Sequence, residues 1–150
     1  MDKADSLKLS NQVCFPIYSV SRLLTKAYKP YLKKMGITYP QYLVMMVLWE
    51  EDSLTVNRIT EKLLLNTNTV SPLLKRMEKL ELIQRNRSAE DERIVLVQLT
   101  KKGQQLKEKA TPIPEKLLTE LLTDNINVPD IIHLKKMLDE WITVLSNKEE

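Results

Sequence analysis

Residues 65–100, LNTNTVSPLLKRMEKLELIQRNRSAEDERIVLVQLT, decide how this chain is read. Val70, Leu73, Leu74, Met77 and Leu80 recur at helical spacing, which draws an apolar stripe along one side of a helix and obliges that side to dock on something. The other side carries Thr67, Thr69 and Ser71 near its start and Lys75, Arg76 and Lys79 near its end. Short hydroxyls and amides reach base edges or phosphates, and long cations hold the phosphate backbone. After Leu80 the helical period stops. Residues 82–87 and 94–99 read as strands, the second alternating Val95, Val97 and Leu99 against Leu96 and Gln98. The charged run 86–93 between them is the tip of a two-stranded ribbon. A helix followed by such a ribbon is a winged-helix layout.

Composition agrees with that reading. At 150 residues with 43% hydrophobic side chains the chain has enough for one domain and its core. Only two glycines, Gly36 and Gly103, interrupt it, so long helices are expected and the class is mostly α with a small β-hairpin wing. The net charge of +3 permits a polyanionic partner without requiring one, but its distribution says more. Between Ser6 and Trp49 there is no carboxylate, while Lys8, Arg22, Lys26, Lys29, Lys33 and Lys34 are all cationic. A single cysteine, Cys14, rules out an internal disulfide framework. No start resembles a signal peptide, and the longest apolar run, 42–49, is far shorter than the roughly 20 residues that cross a bilayer. These features predict a soluble cytoplasmic protein with no membrane partner.

Working outward, residues 1–8 are polar and expected to be loose. A first helix should begin near 13–15, because Pro16 is tolerated only in a first turn, and should bend or break at Pro30. Gly36 after Lys33 and Lys34 suits a C-terminal cap. Thr38 and Gln41 form a capping-box pattern, with Ile37 and Tyr42 as its hydrophobic staple, opening a second helix that is apolar nearly all round and therefore central. Thr55 caps a short third helix, and residues 66–69 make the turn before the fourth, so the two form a helix-turn-helix. Inside the fourth helix, Pro72 removes one backbone bond and is expected to loosen the first turn. Beyond Thr100 helix resumes and is interrupted at Pro112 and Pro114. The last helix, roughly 129–146, carries Ile131, Leu134, Leu138, Trp141, Ile142 and Leu145 on a stripe too broad for a lone terminal helix in water. Its natural cover is a second copy, which predicts a homodimer through the N- and C-terminal helices.

The run from Asp91-Glu92-Arg93 to Leu99-Thr100 resembles the D-x-R…L-T wing signature of the MarR family of winged-helix repressors, and Pro72-Leu73-Leu74-Lys75-Arg76-Met77-Glu78 resembles its recognition-helix core. The likeness covers nearly the whole chain and is weakest after Thr111. It implies one MarR-type domain, with dimerisation helices at about 10–35 and 105–147 and a DNA-binding lobe at about 38–100. Thr67, Asn68, Thr69 and Ser71 are then expected in the major groove, Lys75 and Arg76 on phosphate, and Arg87 or its wing neighbours, Arg93 included, in the adjacent minor groove. Asp91 and Arg93 are expected to shape the wing by pairing sooner than to touch bases. A dimer of this kind wants double-stranded DNA with an inverted repeat whose half-sites lie about one helical turn apart.

Cys14 has a bland reading as a small buried hydrophobe. Against that, its expected place at the start of a helix exposes it to the positive end of the helix dipole, and its surroundings lack carboxylates; both favour thiolate. Asn11-Gln12-Val13-Cys14-Phe15, Tyr18, Tyr28-Lys29-Pro30 and Ile37-Thr38-Tyr39-Pro40-Gln41-Tyr42 are similar to the sensor region of the organic-hydroperoxide-sensing branch of the family, the OhrR type. Pro16 departs from that branch's usual pattern. The resemblance implies that Cys14 accepts hydrogen bonds from Tyr28 and Tyr39 of a partner subunit, with Tyr18 nearby. It further implies that an organic hydroperoxide oxidises Cys14, that a low-molecular-weight thiol then caps it as a mixed disulfide, and that the repressor leaves its operator. A related branch governs virulence and autolysis genes through the same cysteine.

An enzyme is disfavoured. His133 is the only histidine, no residue set has zinc-ligand spacing, and there is no glycine-rich phosphate loop, so no metal or cofactor is expected. The rivals are a regulator controlled by a reversible small phenolic ligand, a thiol-peroxidase-like catalyst and a pure protein-interaction module.

Overall fold

The computed structural model describes residues 5–147. The expectation of a loose start falls partly outside them, at residues 1–4; residues 5–7 and 9–11 form two short 3-10 turns, joined where the Asn11 side-chain amide donates to the Asp5 carbonyl at 2.8 Å.

Helix α1 (Cys14–Met35) begins at the cysteine itself. Pro16 is its third residue, where the backbone N–H has no intrahelical acceptor in any case, so the proline leaves the start in place. Pro30 does not break the helix, which runs on to Met35. Pro30 and Lys26, whose carbonyl loses its intrahelical partner, are both exposed, so that carbonyl's residue faces solvent. Buried Leu32 and the Gly36 cap hold the last turn; Gly36 sits at φ 70° with its N–H on the Leu32 and Lys33 carbonyls. Helix α2 (Tyr39–Glu50) follows at once, and the Thr38 N–H donates to Gln41 Oε1 at 2.8 Å as the capping pattern requires. Tyr42, Val44, Met45, Val47 and Leu48 of α2 are buried, so this helix is the centre of the core.

A strand of two residues, β1 (Leu54–Thr55), was not foreseen; it leads into α3 (Val56–Leu63), whose first turn is capped where the Thr55 hydroxyl accepts the Arg58 N–H at 3.1 Å. Leu64 makes the turn at φ 53°, and Asn66 caps α4 (Thr67–Lys79). The turn is thus shorter than expected: Thr67, Asn68 and Thr69 are already helical, and α4 runs unbroken through Pro72. Val70, Leu73, Leu74 and Met77 are buried, whereas Leu80, the last of the stripe, is the C-terminal cap and is exposed. Strands β2 (Ile83–Arg87) and β3 (Val95–Leu99) form the ribbon, with Arg85 opposite Val97 and Arg87 opposite Val95. β1 adds to the far edge of β3, giving an antiparallel sheet in the order β1-β3-β2.

Helix α5 (Lys101–Ala110) is capped by the Thr100 hydroxyl, which accepts the Gly103 N–H at 3.0 Å. Gly103 packs so tightly on the root of the ribbon that a Cβ there would lie 2.1 Å from the Leu82 carbonyl oxygen. The Trp49 indole N–H donates to the Gly103 carbonyl at 3.0 Å, and Lys107 Nζ donates to the Trp49 carbonyl at 3.1 Å, tying α2 to α5. The interruption expected at Pro112 separates α5 from α6 (Ile113–Leu121), whereas Pro114 is the second residue of α6, in a first turn that tolerates it, and the last helix is α7 (Val128–Ser146), opened by a reciprocal Asn127–Asp130 capping box. The chain falls into two compact units, one ending at Ile113 and one beginning at Pro114. Within the second, Leu134, Trp141, Ile142 and Leu145 of α7 are exposed.

Candidate functional site

The candidate nucleic-acid interface is built around the start of α4. Asn66 Oδ1 accepts both the Thr69 N–H at 2.9 Å and the Thr69 hydroxyl at 3.0 Å, satisfying an orphan donor of the first turn and fixing that side chain. The Thr69 hydroxyl proton is thereby committed to Asn66, while the residue itself is exposed. Thr67 and Asn68 are exposed, Ser71 is half-buried, and Lys75 and Arg76 are exposed one to two turns further on, with no ion pair to a described carboxylate. Thr67 and Ser71 share a groove of about 370 Å³ with Thr55, Val56 and Asn57 at the start of α3 and with Arg93, Ile94 and Val95 of the ribbon. The fold thus brings Thr67, Ser71 and Arg93 together from separate elements. It adds Thr55 and Asn57, which sequence reading missed; the one available signal was an exposed asparagine just inside a Thr-capped helix.

The wing tip is shaped differently from expectation. Asp91 does not pair with the Arg93 guanidinium: its Oδ1 accepts the Arg93 backbone N–H at 2.9 Å, and its carbonyl accepts the Ile94 N–H at 3.0 Å. Two residues of separation place a carboxylate on the following backbone amide, an Asx turn, sooner than on the side chain. Arg93 stays exposed and free of described ion pairs, as does Arg87 at the end of β2. The ribbon's base is clamped to α4 by a bridge that nothing in the pattern announced. Glu78 accepts the Arg85 backbone N–H at 3.1 Å through Oε1, and Arg85 Nε at 3.1 Å and Nη2 at 2.8 Å through Oε2. The Arg85 hydrogen bonds hold the Glu78 carboxyl below its ordinary value of 4.5.

Cys14 is the first residue of α1 and is exposed. The cap position before it, Val13, offers no side-chain acceptor, so the positive end of the helix is not satisfied by its own cap. Tyr28, Tyr39 and Tyr42 meet where α1 joins α2, with ring centroids 5.0, 5.7 and 6.3 Å apart in the three pairings, and Trp49 stands edge-on to Tyr42 at 6.2 Å. Burial raises all three phenols above their usual value of 10, so each keeps a hydrogen to donate at neutral pH. Tyr18 does not belong to this group: its ring is exposed, with the Arg22 guanidinium 5.3 Å from the centroid. Cys14 and Tyr28 are fourteen positions apart on one helix, which at about 1.5 Å per residue separates them by roughly 21 Å. Within one chain the sulfur and the phenols do not meet.

Among the described residues no group of three His, Cys, Asp or Glu is placed to hold a metal ion, His133 is exposed, and no helix is long and apolar enough to cross a membrane.

Residues 26–110 match a family model described as "Transcriptional regulator SarA/Rot". The chain is 54% identical over 117 residues to an organic hydroperoxide resistance transcriptional regulator of Bacillus subtilis (strain 168), covering 78% of this chain and 80% of that protein. It is 33% identical over 148 residues to the HTH-type transcriptional regulator MgrA of Staphylococcus aureus, covering 98% of this chain and 99% of that one. Among solved structures it is similar to AbfR of Staphylococcus epidermidis, solved in reduced form bound to DNA, at 36% identity and a TM-score of 0.81 with both chains fully covered. AbfR has also been solved in a disulfide-formed state, which this chain matches with a TM-score of 0.65 over 97% of each chain.

Proposed function

Because the chain belongs to the SarA/Rot family of transcriptional regulators, winged-helix proteins of the MarR type that include the organic-hydroperoxide-resistance regulators, we propose that it is a repressor released from its operator when Cys14 is oxidised. It is a DNA-binding transcriptional regulator and not an enzyme. In our reading α4 enters the major groove with Thr67, Asn68, Thr69 and Ser71. Lys75 and Arg76 grip phosphate, and Arg87 and Arg93 reach the minor groove from the wing. The lobe at about 38–100 reads DNA, and the helices at about 10–35 and 105–147 join two copies of a single domain in the cytoplasm. The apolar residues Phe15, Ile17, Val20 and Leu23 of α1 and Leu134, Trp141, Ile142 and Leu145 of α7, all exposed in one chain, support a homodimer on an inverted repeat. Monomeric behaviour in sedimentation at micromolar concentration contradicts it.

The observation that carries the sensor reading is the exposed sulfur on the uncapped start of α1, a full helix away from phenols that stay protonated. Tyr28 and Tyr39 of a second copy donate to the sulfur across the dimer. The thiolate takes one oxygen from the hydroperoxide and releases an alcohol, leaving a sulfenate. A small thiol then condenses with the sulfenic acid, forming a mixed disulfide and expelling water, because no second cysteine is present. The added bulk and the lost phenol contacts drive the two reading heads apart. The test is Cys14→Ser: the variant binds operator DNA but ignores cumene hydroperoxide, and release on peroxide treatment refutes the role. Mass spectrometry after treatment separates this reading from control by a reversible phenolic ligand, which leaves no adduct on Cys14.

A further inference from the structure

Pro72 stands on α4 past the first turn, where a proline is tolerated, and it deprives the Asn68 carbonyl of its intrahelical donor. No residue is less favourable inside a helix. Packing offers no compensation, because Pro72 is exposed while Val70, Leu73, Leu74 and Met77 hold the helix to the core. At about 100° per residue, Pro72 lies roughly 150° around the helix from the middle of that buried stripe, in an outward row with Asn68, Lys75 and Lys79. Thr67 and Ser71 face sideways instead, into the groove they share with Arg93. The other exposed residues of α4 are Thr67, Asn68, Thr69, Lys75, Arg76 and Lys79, and every one carries a polar or charged group. Pro72 alone presents bare carbon.

The inference rests on α4 entering the major groove. Base edges there offer donors and acceptors suited to the neighbours of Pro72, and one apolar feature, the C5 methyl group of thymine. A hydrogen-bonding side chain in the outward row would find partners on several bases. A pyrrolidine ring finds none, and gains only where it displaces water from another apolar group. Ring closure also leaves it almost no rotamer freedom to lose on contact. We propose that Pro72 is a specificity-determining residue of the recognition helix, its ring packing on the methyl group of one thymine in each half-site. The operator then carries thymine at that position for a reason that no hydrogen bond supplies.

In the experiment the full-length protein first selects its best palindrome from randomised duplex. Each thymine of a half-site, together with its symmetry mate, is then replaced by deoxyuridine, which removes the methyl group and keeps the base pair. Affinities at one fixed salt concentration are measured by fluorescence anisotropy for the wild type and for Pro72→Ser, which removes the ring and restores the missing N–H. At one symmetric pair of positions deoxyuridine should weaken wild-type binding about fifteenfold, about fourfold for each buried methyl group, and weaken the variant less than about twofold. Thymines elsewhere should give the same penalty in both proteins. The urea midpoint of the variant should equal or exceed that of the wild type, because α4 regains a hydrogen bond; a lower midpoint assigns the proline to the fold and overturns the proposal. Penalties that match in the two proteins at every thymine overturn it too, while leaving α4 in the groove. A changed preference between adenine and cytosine with no methyl dependence credits the freed Asn68 carbonyl instead, and likewise overturns it. If no palindrome is preferred over random duplex, α4 does not read bases and this inference falls with that reading.

Discussion

Replacing Glu78 with glutamine tests whether the wing is held rigidly to the recognition helix. The carboxylate takes three hydrogen bonds from Arg85. Glutamine keeps one acceptor oxygen, which takes the two guanidinium donors that Oε2 held, and turns its amide toward the Arg85 backbone N–H, so one bond is lost and the charge with it. A charged hydrogen bond is worth about 1.5–3 kcal/mol when shielded. Here Arg85 and Glu78 remain 28% and 37% exposed, so solvent screening brings the whole bridge down to about 1–2 kcal/mol. Arg85 lowers the Glu78 pKa in the folded state below 4.5, so the bridge contributes fully above that value and its contribution disappears as pH falls through the lower folded value. In urea unfolding, then, wild type and E78Q differ at pH 7 and converge in acid below pH 4.5.

DNA binding adds a readout with a defined sign. If the loosened wing spends part of its time out of position, apparent affinity falls by the fraction lost. The fall cannot exceed the bridge itself, so it is bounded at about five- to thirtyfold per subunit. Removing a negative charge near a phosphate-binding face acts in the opposite direction and tightens binding on any duplex. A net loss of operator affinity in fluorescence anisotropy can therefore come only from geometry. Tighter binding on every duplex with the preference for operator over scrambled DNA unchanged, or a stability gap that persists in strong acid, refutes the clamp.

Gly103→Ala places a methyl carbon 2.1 Å from a backbone oxygen that cannot rotate aside, so α5 must shift on the ribbon; the urea midpoint should fall by the equivalent of at least about 1–3 kcal/mol, and a wild-type midpoint contradicts the packing. Lys75→Ala and Arg76→Ala should weaken binding to every duplex alike and each reduce the slope of log affinity against log salt by about 1.8 for the dimer, about 0.9 from each subunit, whereas a change confined to the best palindrome assigns them to base reading instead. Thr67→Ala should leave that slope in place but narrow the gap between operator and scrambled duplex, as competition gel shifts will show.

What the sequence made legible was whatever depends on period and local chemistry. The stripe Val70, Leu73, Leu74 and Met77, the alternation of β3 and the caps at Gly36, Thr38 and Thr55 each sit within a few residues of the atoms they bind. Features made by distant approach were not legible. β1 is two residues long, too short for alternation to register, and exists because β3 passes beside it. Glu78 and Arg85 belong to different periodicities, one helical and one extended, so no single pattern pairs them. Tyr18 lies four positions from Cys14 on α1, one turn along the same face, whereas Tyr28, Tyr39 and Tyr42 cluster through the junction of α1 and α2, an approach that no local spacing announces. Asp91 went astray for a local reason: an acid two residues before an arginine reads as an ion pair, and the turn gives it the nearer backbone amide.

That aromatic junction also suggests how a chemical event at the end of one helix reaches a wing. Tyr28 and Tyr39 pack on Tyr42, which is 2% exposed and so belongs at once to the phenol cluster and to the core of the DNA-binding lobe. Tyr42 meets Trp49, the Trp49 indole is bonded to Gly103, and Gly103 lies against the Leu82 carbonyl at the root of the ribbon, with no space for a methyl group between them. Close-packed links of this kind have few intermediate arrangements: a ring that moves must carry its neighbour with it or leave a void. A disturbance of the phenols is therefore expected to displace α2, α5 and the ribbon root together. Because the Glu78–Arg85 clamp binds the ribbon to α4, the recognition helix travels with them. On the proposed sensor reading, the reading head is expected to answer oxidation of Cys14 as one piece, so that the spacing between two copies, more than the shape of either, is what an operator would sense.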